Sequence, residues 1–287
     1  ENRGGIEMNI GTTKKIQWCP GCGNYAIYSA FKRVIEKNIE NNKLQKENVV
    51  LISGIGCHGY ITNYYDLNSF HPLHGRVPPL ATGMKIANSC LTVVGFAGDG
   101  DVYAEGMSHI IHAARRNTDI TMIVHDNSVY GLTTGQFTPT SPRGFKGRST
   151  PFGNVENPIN PISLMIVSRA TFVARGFSGE PGHLEHLFEK AIMHKGFSIV
   201  DVIQPCTTFS DTYSYYRERV YKLEETNYVP DNFAQALHKS LEYGDKIPIG
   251  VFYEKKDASF EAAIRGSEVF LKNRSTPDIS TVLSEKI

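Results

Sequence analysis

Two short clusters in this chain carry side chains that can hold a cation. Gly98-Asp99-Gly100-Asp101 follows an apolar run at 91–97, and His125-Asp126-Asn127 follows a second apolar run at 120–124. Asp99 offers a carboxylate and Asn127 an amide carbonyl. These hard oxygen donors suit a magnesium ion whose remaining positions are filled by a pyrophosphate. Gly98 and Gly100 let backbone amides approach an anion closely, and a helix starting just beyond them adds partial positive charge. The competing reading is a tight strand-to-helix turn in which Asp99 is only a helix N-cap. Cys19, Cys22, Cys57 and Cys206 form a second group. Alone, Cys19-Pro20-Gly21-Cys22 fits a redox dithiol, half of a zinc site or half of an iron–sulfur site. Four converging thiolates suit structural zinc or a [4Fe–4S] cluster, and spacing does not separate the two.

The elements around these residues say how they meet. The runs at 91–97 and 120–124 are short, β-branched and bounded by turn residues, with a helical stretch at 102–117 between them. They read as buried parallel strands joined by a crossover helix. Parallel strands put their carboxyl ends on one edge, where open α/β sheets bind ligands, so Asp99 and Asn127 sit side by side there. Two further runs, 49–55 and 197–203, end at Gly56-Cys57-His58-Gly59 and Pro205-Cys206, which brings two cysteines to the same edge. A helix at 24–41, with Ala26, Ile27, Ala30, Phe31, Val34 and Ile35 at helical spacing, places Cys19 and Cys22 at a helix N-terminus, where thiolates are favoured. Cys90 reads instead as a small buried apolar residue. The expected fold class is α/β, a parallel twisted sheet flanked by helices.

The rest of the chain is less specific. With 287 residues and 30 Lys+Arg against 29 Asp+Glu, it is large enough for an ample core, and its balanced charge argues against a nucleic-acid or membrane surface. No apolar run reaches membrane-span length and no secretory segment opens the sequence, so five cysteines point to a reducing, cytoplasmic setting. Residues 1–15 are expected to form an arm on a neighbour. The segment 60–79 is a long loop rich in aromatics, histidine and proline, with Phe70-His71-Pro72-Leu73-His74-Gly75-Arg76 at its centre. Either His71 and His74 bond backbone in a rigid loop, or His74 and Arg76 face a diphosphate or substrate. A helix is expected at 78–88 with Ala81, Met84 and Ala87 inward. A proline-rich excursion to about 162 follows Gln136 and reads as surface loop or partner contact. A strand at 171–174 and a helix at 182–195 continue the pattern, with His183 and His186 on an ordinary surface. One domain is expected over 1–225, and 226–287 as a C-terminal extension that packs across an interface.

Gly98-Asp99-Gly100 followed by Asn127 resembles the thiamine diphosphate motif. That resemblance implies that Asp99, Asn127 and the carbonyl of Val129 hold magnesium, with Gly100, Asp101, Gly131 and Leu132 against the cofactor. Further motifs agree in order: Cys19-Pro-Gly-Cys22-Gly-Asn, Ser53-Gly-Ile-Gly-Cys57, His71-x-x-His74-Gly-Arg76, Asp126-Asn127, Tyr130-Gly131-Leu132-Thr133-x-Gly135-Gln136 and 216–225. Together they resemble the β subunits of 2-oxoacid:ferredoxin oxidoreductases, and they select a [4Fe–4S] cluster over zinc for Cys19, Cys22, Cys57 and Cys206. The resemblance implies that Ile55, Gly56, Cys57, His58 and His74 contact thiamine diphosphate, that coenzyme A takes the acyl group, and that ferredoxin takes the electrons. Several relatives carry a basic residue three positions after the third cysteine. This chain has Tyr60 there, which favours pyruvate or a broad range of 2-oxoacids over 2-oxoglutarate. A cluster-free thiamine diphosphate decarboxylase or synthase with zinc or structural cysteines is the alternative, and a non-catalytic metal-binding scaffold is a second. Only the diphosphate-binding half is visible, so an α subunit must supply the pyrimidine-binding half and its activating glutamate. Separately purified chain is therefore expected to show little activity until that partner is added, which a steady-state assay of the separate and recombined subunits checks.

Overall fold

The structure is a computed structural model that describes residues 8–265. Its strands are β1 (Val49–Ser53), β2 (Asn68–Phe70), β3 (Thr92–Gly98), β4 (Thr121–Asp126), β5 (Val129–Tyr130), β6 (Gln136–Phe137), β7 (Phe172–Phe177), β8 (Ser198–Ile203), β9 (Val220–Lys222) and β10 (Ile247–Glu254). Its helices are α1 (Asn24–Glu40), α2 (Val77–Ala87), α3 (Met107–Arg116), α4 (Pro161–Val167), α5 (Pro181–Met193), α6 (Tyr213–Arg217), α7 (Phe233–Ser240) and α8 (Phe260–Arg265). Eight strands form one sheet in the order β2-β1-β3-β4-β8-β7-β10-β9, and β5 and β6 form a separate ribbon. From β2 to β7 every pairing is parallel, while β10 joins β7 antiparallel and carries β9 parallel to itself.

The expected α/β class is what the chain adopts. β1 and β8 are buried at every position, as strands covered on both faces must be, which is why they read as unbroken apolar runs. Successive side chains alternate between two cores. Leu51 and Phe96 join Ile27, Phe31 and Val34 of α1 and Leu184, Leu187 and Phe188 of α5 on one face. Val50, Ile52 and Met122 join Ala81 of α2, Ile110 and Ala113 of α3 and Met165 of α4 on the other. Phe31 meets Phe96 edge-on with ring centroids 5.0 Å apart. Among the described residues no helix is long and apolar enough to cross a membrane.

Several expectations need correction. The stretch 102–117 is not one helix: Asp101–Glu105 is a wide π turn, closed by Gly106 N–H on the Asp101 carbonyl at 3.0 Å, and α3 begins only at Met107. The stretch 60–79 is not all loop: it begins inside a run of 3₁₀ turns, Cys57–Tyr64, holds the edge strand β2 and ends in the first turn of α2. The described part of the N-terminal arm lies on its own chain, with Ile10 fully buried and Asp66 N–H bonded to the Ile10 carbonyl. Cys90 is exposed, in a turn where its N–H meets Asn88 Oδ1, at the end of β3 remote from the other four cysteines. Ala87 is exposed as well, whereas Ala81 is buried and Met84 packs on the core. The chain beyond 225 returns to the sheet as β10, paired between β7 and β9, rather than standing apart from it. Residues 1–7 and 266–287 lie outside the described residues.

One polar knot ties the sheet's other edge. Asn117, in the left-handed conformation at the end of α3 (φ 56°), accepts from Thr171 Oγ1 (2.7 Å) and Phe197 N–H (2.8 Å) and donates to the Ala258 carbonyl (3.0 Å). It thereby fastens α3 to β7, β8 and the segment before α8. Buried donors and acceptors left without partners are costly. Asn117→Ala is expected to destabilise by about 2–4 kcal/mol, lowering Tm by roughly 5–15 °C on thermal unfolding, with Asn117→Asp falling between.

Candidate active site

β1, β3, β4 and β8 are consecutive neighbours and all parallel, so the loops after them emerge side by side. Those loops carry Cys57, Asp99, Asn127 and Cys206. Between them lies a cleft lined by Ile55, Gly56, Cys57 and His58 after β1, by Asp99, Gly100 and Asp101 after β3, and by Asn127, Val129, Gly131 and Leu132 after β4, with His74 from the loop before α2. Of the residues singled out for this region, Tyr60 and Arg76 do not line the cleft: the Tyr60 ring packs on the core that holds Trp18 and Tyr64, and Arg76 donates to the His74 and Glu105 carbonyls (3.2 and 3.0 Å). Gly56 adopts φ 146°, open to glycine, and a Cβ on Gly100 would lie 2.3 Å from the Tyr130 ring.

Asp99 is buried, and it accepts hydrogen bonds at Oδ2 from Thr138 Oγ1 (2.5 Å) and Thr140 Oγ1 (2.6 Å). Burial, with Asp126 beside it, pushes its carboxyl up to about 7 against the pull of those hydroxyls. Asn127 Oδ1 accepts the Val129 N–H (3.0 Å) across Ser128, whose left-handed φ of 56° makes the turn. Asp99, Asn127 and Val129 thus face one cleft, as the spacing requires.

Asp101 is equally buried and accepts the Gly75 N–H (2.7 Å), while His74 Nδ1 lies 2.6 Å from its Oδ1. His58 Nε2 is 3.8 Å from Asp101 Oδ2, but burial first and His125 second hold the His58 imidazole neutral, so this is not an ion pair. His58 Nε2, His125 Nε2 and Asp101 Oδ2 are buried without a hydrogen-bond partner. All three belong to residues of the cleft wall, and unsatisfied buried polar atoms are rare. A polar molecule seated in the cleft would satisfy them. Among the described residues no lysine or arginine lines the cleft, so a diphosphate there needs a divalent cation and backbone amides to balance its charge. The donor set therefore fits a magnesium diphosphate.

The four cysteines gather beside this cleft. Cys57 Sγ and Cys206 Sγ lie within 3.5 and 3.9 Å of the point where a Cβ on Gly131 would stand, and Cys22 feels Cys206, Cys57 and Cys19 electrostatically. Trp18 fastens the Cys19–Cys22 turn to the Cys57 loop by donating its indole N–H to the Cys57 carbonyl (2.7 Å). Gln204 Nε2 reaches Cys22 Sγ at 3.4 Å. The helix N-terminus does not favour the thiolate here: burial outweighs it, and the Cys22 thiol is pushed up to about 11. Among the described residues no three His, Cys, Asp or Glu side chains meet closely enough to hold a single metal ion.

Residues 54–202 match the family model of the thiamine pyrophosphate enzyme, C-terminal TPP binding domain, and residues 206–268 match that of the C terminal of the pyruvate ferredoxin oxidoreductase beta subunit. The chain is 42% identical over 296 residues to the 2-oxoacid:ferredoxin oxidoreductase subunit beta of Saccharolobus solfataricus, covering 94% of this chain and 96% of that one. This chain belongs to the 2-oxoacid:ferredoxin oxidoreductase β subunits. This β subunit is also 37% identical over 255 residues to the 2-oxoglutarate synthase subunit KorB of Archaeoglobus fulgidus, across 89% and 91% of the two chains. Its fold matches the 2-oxoglutarate:ferredoxin oxidoreductase from Magnetococcus marinus, solved with 2-oxoglutarate, coenzyme A and succinyl-CoA bound, with a TM-score of 0.86, 32% identity, and 98% and 97% coverage.

Some residues of the β-subunit site escape sequence reasoning. His125 bonds Asn24 Oδ1 through Nδ1 (2.8 Å), so the helix after the first cysteine pair orients a cleft histidine. Its position one residue before Asp126-Asn127 was the only signal. Thr138 and Thr140 gave none, because they stand beyond the hairpin in the excursion read as surface. His125 also sets a pH dependence. Burial drives it down to about 3, from 6.5 when exposed, so its contribution to stability is full above pH 6.5 and is lost as pH falls toward 3. Asp99, raised from 3.8 to about 7, acts oppositely, adding stability as pH falls from 7 toward 4. In cofactor-free protein, wild type is expected to lose about 2 kcal/mol more than His125→Gln between pH 7.5 and pH 5, read from urea midpoints at each pH.

Proposed function

We propose that this β subunit, joined to an α subunit, catalyses the coenzyme A-dependent oxidative decarboxylation of 2-oxoacids to acyl-CoA and carbon dioxide, with ferredoxin as electron acceptor. The observation that carries the reading is the adjacency of four strand ends, which sets a cation-type oxygen pair beside two of a group of four cysteines on neighbouring loops. Thiamine diphosphate held there would supply an electron-accepting ring for decarboxylation, and a [4Fe–4S] cluster would supply a one-electron outlet.

The chain's own residues do the holding. Asp99, Asn127 and the Val129 carbonyl are proposed as the magnesium ligands, with Gly100, Asp101, Gly131 and Leu132 bounding the diphosphate. Ile55, Gly56, Cys57 and His58 close the wall between cofactor and sulfurs. The neutral His58 and the unpaired Asp101 Oδ2 can exchange hydrogen bonds with the cofactor without adding a charge. His74, one third exposed and held against Asp101, is the histidine best placed to meet substrate. Cys19, Cys22, Cys57 and Cys206 are proposed as the cluster ligands.

Pyruvate or a broad range of 2-oxoacids is the proposed substrate. This rests on the cleft wall, which among the described residues holds no lysine or arginine and so leaves a second carboxylate unmatched, rather than on Tyr60. Large apolar side chains standing in water support a partner surface: Leu73 in the loop before α2, 81% exposed, and Phe152 in the excursion, 98% exposed. Two variants separate the two halves of the site. Asp99→Ala is expected to abolish magnesium-dependent thiamine diphosphate binding while iron and sulfide content stays at the wild-type level, and Cys206→Ala to do the reverse. Anaerobic metal analysis with cofactor titration checks this, and colourless protein holding zinc would overturn the cluster.

A further inference from the structure

The excursion after β6 does not begin as surface. Its first residues, Thr138-Pro139-Thr140-Ser141, turn inward: Thr138 and Ser141 are buried, and Thr140 is partly so. Thr138 and Thr140 both donate to Asp99 Oδ2, at 2.5 and 2.6 Å, so one carboxylate oxygen takes both hydroxyls and the other is not consumed by side-chain donors. Thr140 Oγ1 also stands 2.8 Å from Asp126 Oδ1 and 3.2 Å from Ser128 Oγ. Ser141 Oγ accepts the Thr138 N–H (2.7 Å) and donates to the Ser128 carbonyl (2.5 Å). The segment therefore touches both halves of the oxygen site: the carboxylate after β3, and the left-handed turn at Ser128 that separates Asn127 from Val129.

We propose that Thr138-Pro139-Thr140-Ser141 is a latch that presets the divalent-cation site, holding Asp99 in its ligating rotamer and the 127–129 turn in register with it. Thr138 and Thr140 are positioning residues, since they act through Asp99. The inference rests on the reading of Asp99 as a cation ligand. Its chemistry is specific. A buried carboxylate left to itself can turn about two side-chain bonds, and a lysine or arginine that fixed it would repel the incoming dication. Neutral hydroxyls fix the carboxylate and leave its charge for the metal. Threonine suits the task further because its branched Cβ restricts χ1, so the hydroxyl itself is held. Pro139 between the two threonines fixes one backbone torsion, which keeps both hydroxyls aimed at one oxygen.

The test is binding, not turnover. The full chain in its native complex is titrated with Mn²⁺ at saturating thiamine diphosphate, and unbound Mn²⁺ is counted by electron paramagnetic resonance. Thr140→Val and Thr138→Val keep the shape of the side chain and remove the donor. Each is expected to raise the Mn²⁺ Kd by about 10–100-fold, while Thr140→Ser, which restores the donor, stays within about threefold of wild type. Valine variants that bind like wild type, alongside an Asp99→Ala that binds no cofactor-dependent Mn²⁺, would overturn the latch and leave the function standing. Wild type and Asp99→Ala binding alike would overturn the cation site, and the latch with it. If Thr140→Val does not fold, Thr138→Val compared with Thr138→Ser decides by the same criterion.

Discussion

Parallel hydrogen bonding between β1, β3, β4 and β8 is the constraint on which the rest of the site depends. It holds four strands in one direction at adjacent positions, so four loops well separated in sequence leave the sheet within one neighbourhood. Two of those loops bring oxygen donors and two bring thiols. The crossover helices that parallel pairing demands also cover both faces, which dries the strand ends and gives Asp99, Asp101, His58 and His125 their buried settings.

Burial then decides the electrostatics. It outweighs the helix N-terminus at Cys22, raises Asp99 toward neutrality and keeps His58 and His125 uncharged. These shifts share one direction, toward fewer charges in the cleft. A site disposed in this way gains most from a guest that carries its own compensating charges. A dication bound to a diphosphate is such a guest, and so is a cluster of iron and sulfide on thiolates.

Much of this was legible in the residues. Continuous apolar runs ending in Gly-Asp-Gly, Asp-Asn, Gly-Cys-His and Pro-Cys are strong signals, because buried parallel strands need the first part and ligand loops need the second. Features that depend on tertiary contact were not legible. Asp101–Glu105 winds into a π turn whose Glu105 backbone lies so close to Gly75 that a Cβ there would stand 2.4 Å from its carbonyl carbon, and no local pattern encodes that approach. Cys90 looked buried by type but falls in a turn at the opposite edge, and Tyr60 looked placed for substrate but is drawn into an aromatic core. β10 was missed because its strand sits in a stretch read as interface, and its antiparallel pairing with β7 is visible only once the sheet is assembled.

Trp18 carries one more implication. It is the sole tryptophan among 287 residues, and its indole is seated on the carbonyl of Cys57, ringed edge-on by Tyr25 and Tyr64. The molecule thus contains a built-in ultraviolet lamp next to its sulfur pocket. Any chromophore assembled on those thiols that absorbs in the near ultraviolet will drain the lamp by energy transfer, so that maturation of the pocket can be followed by emission alone, without a label.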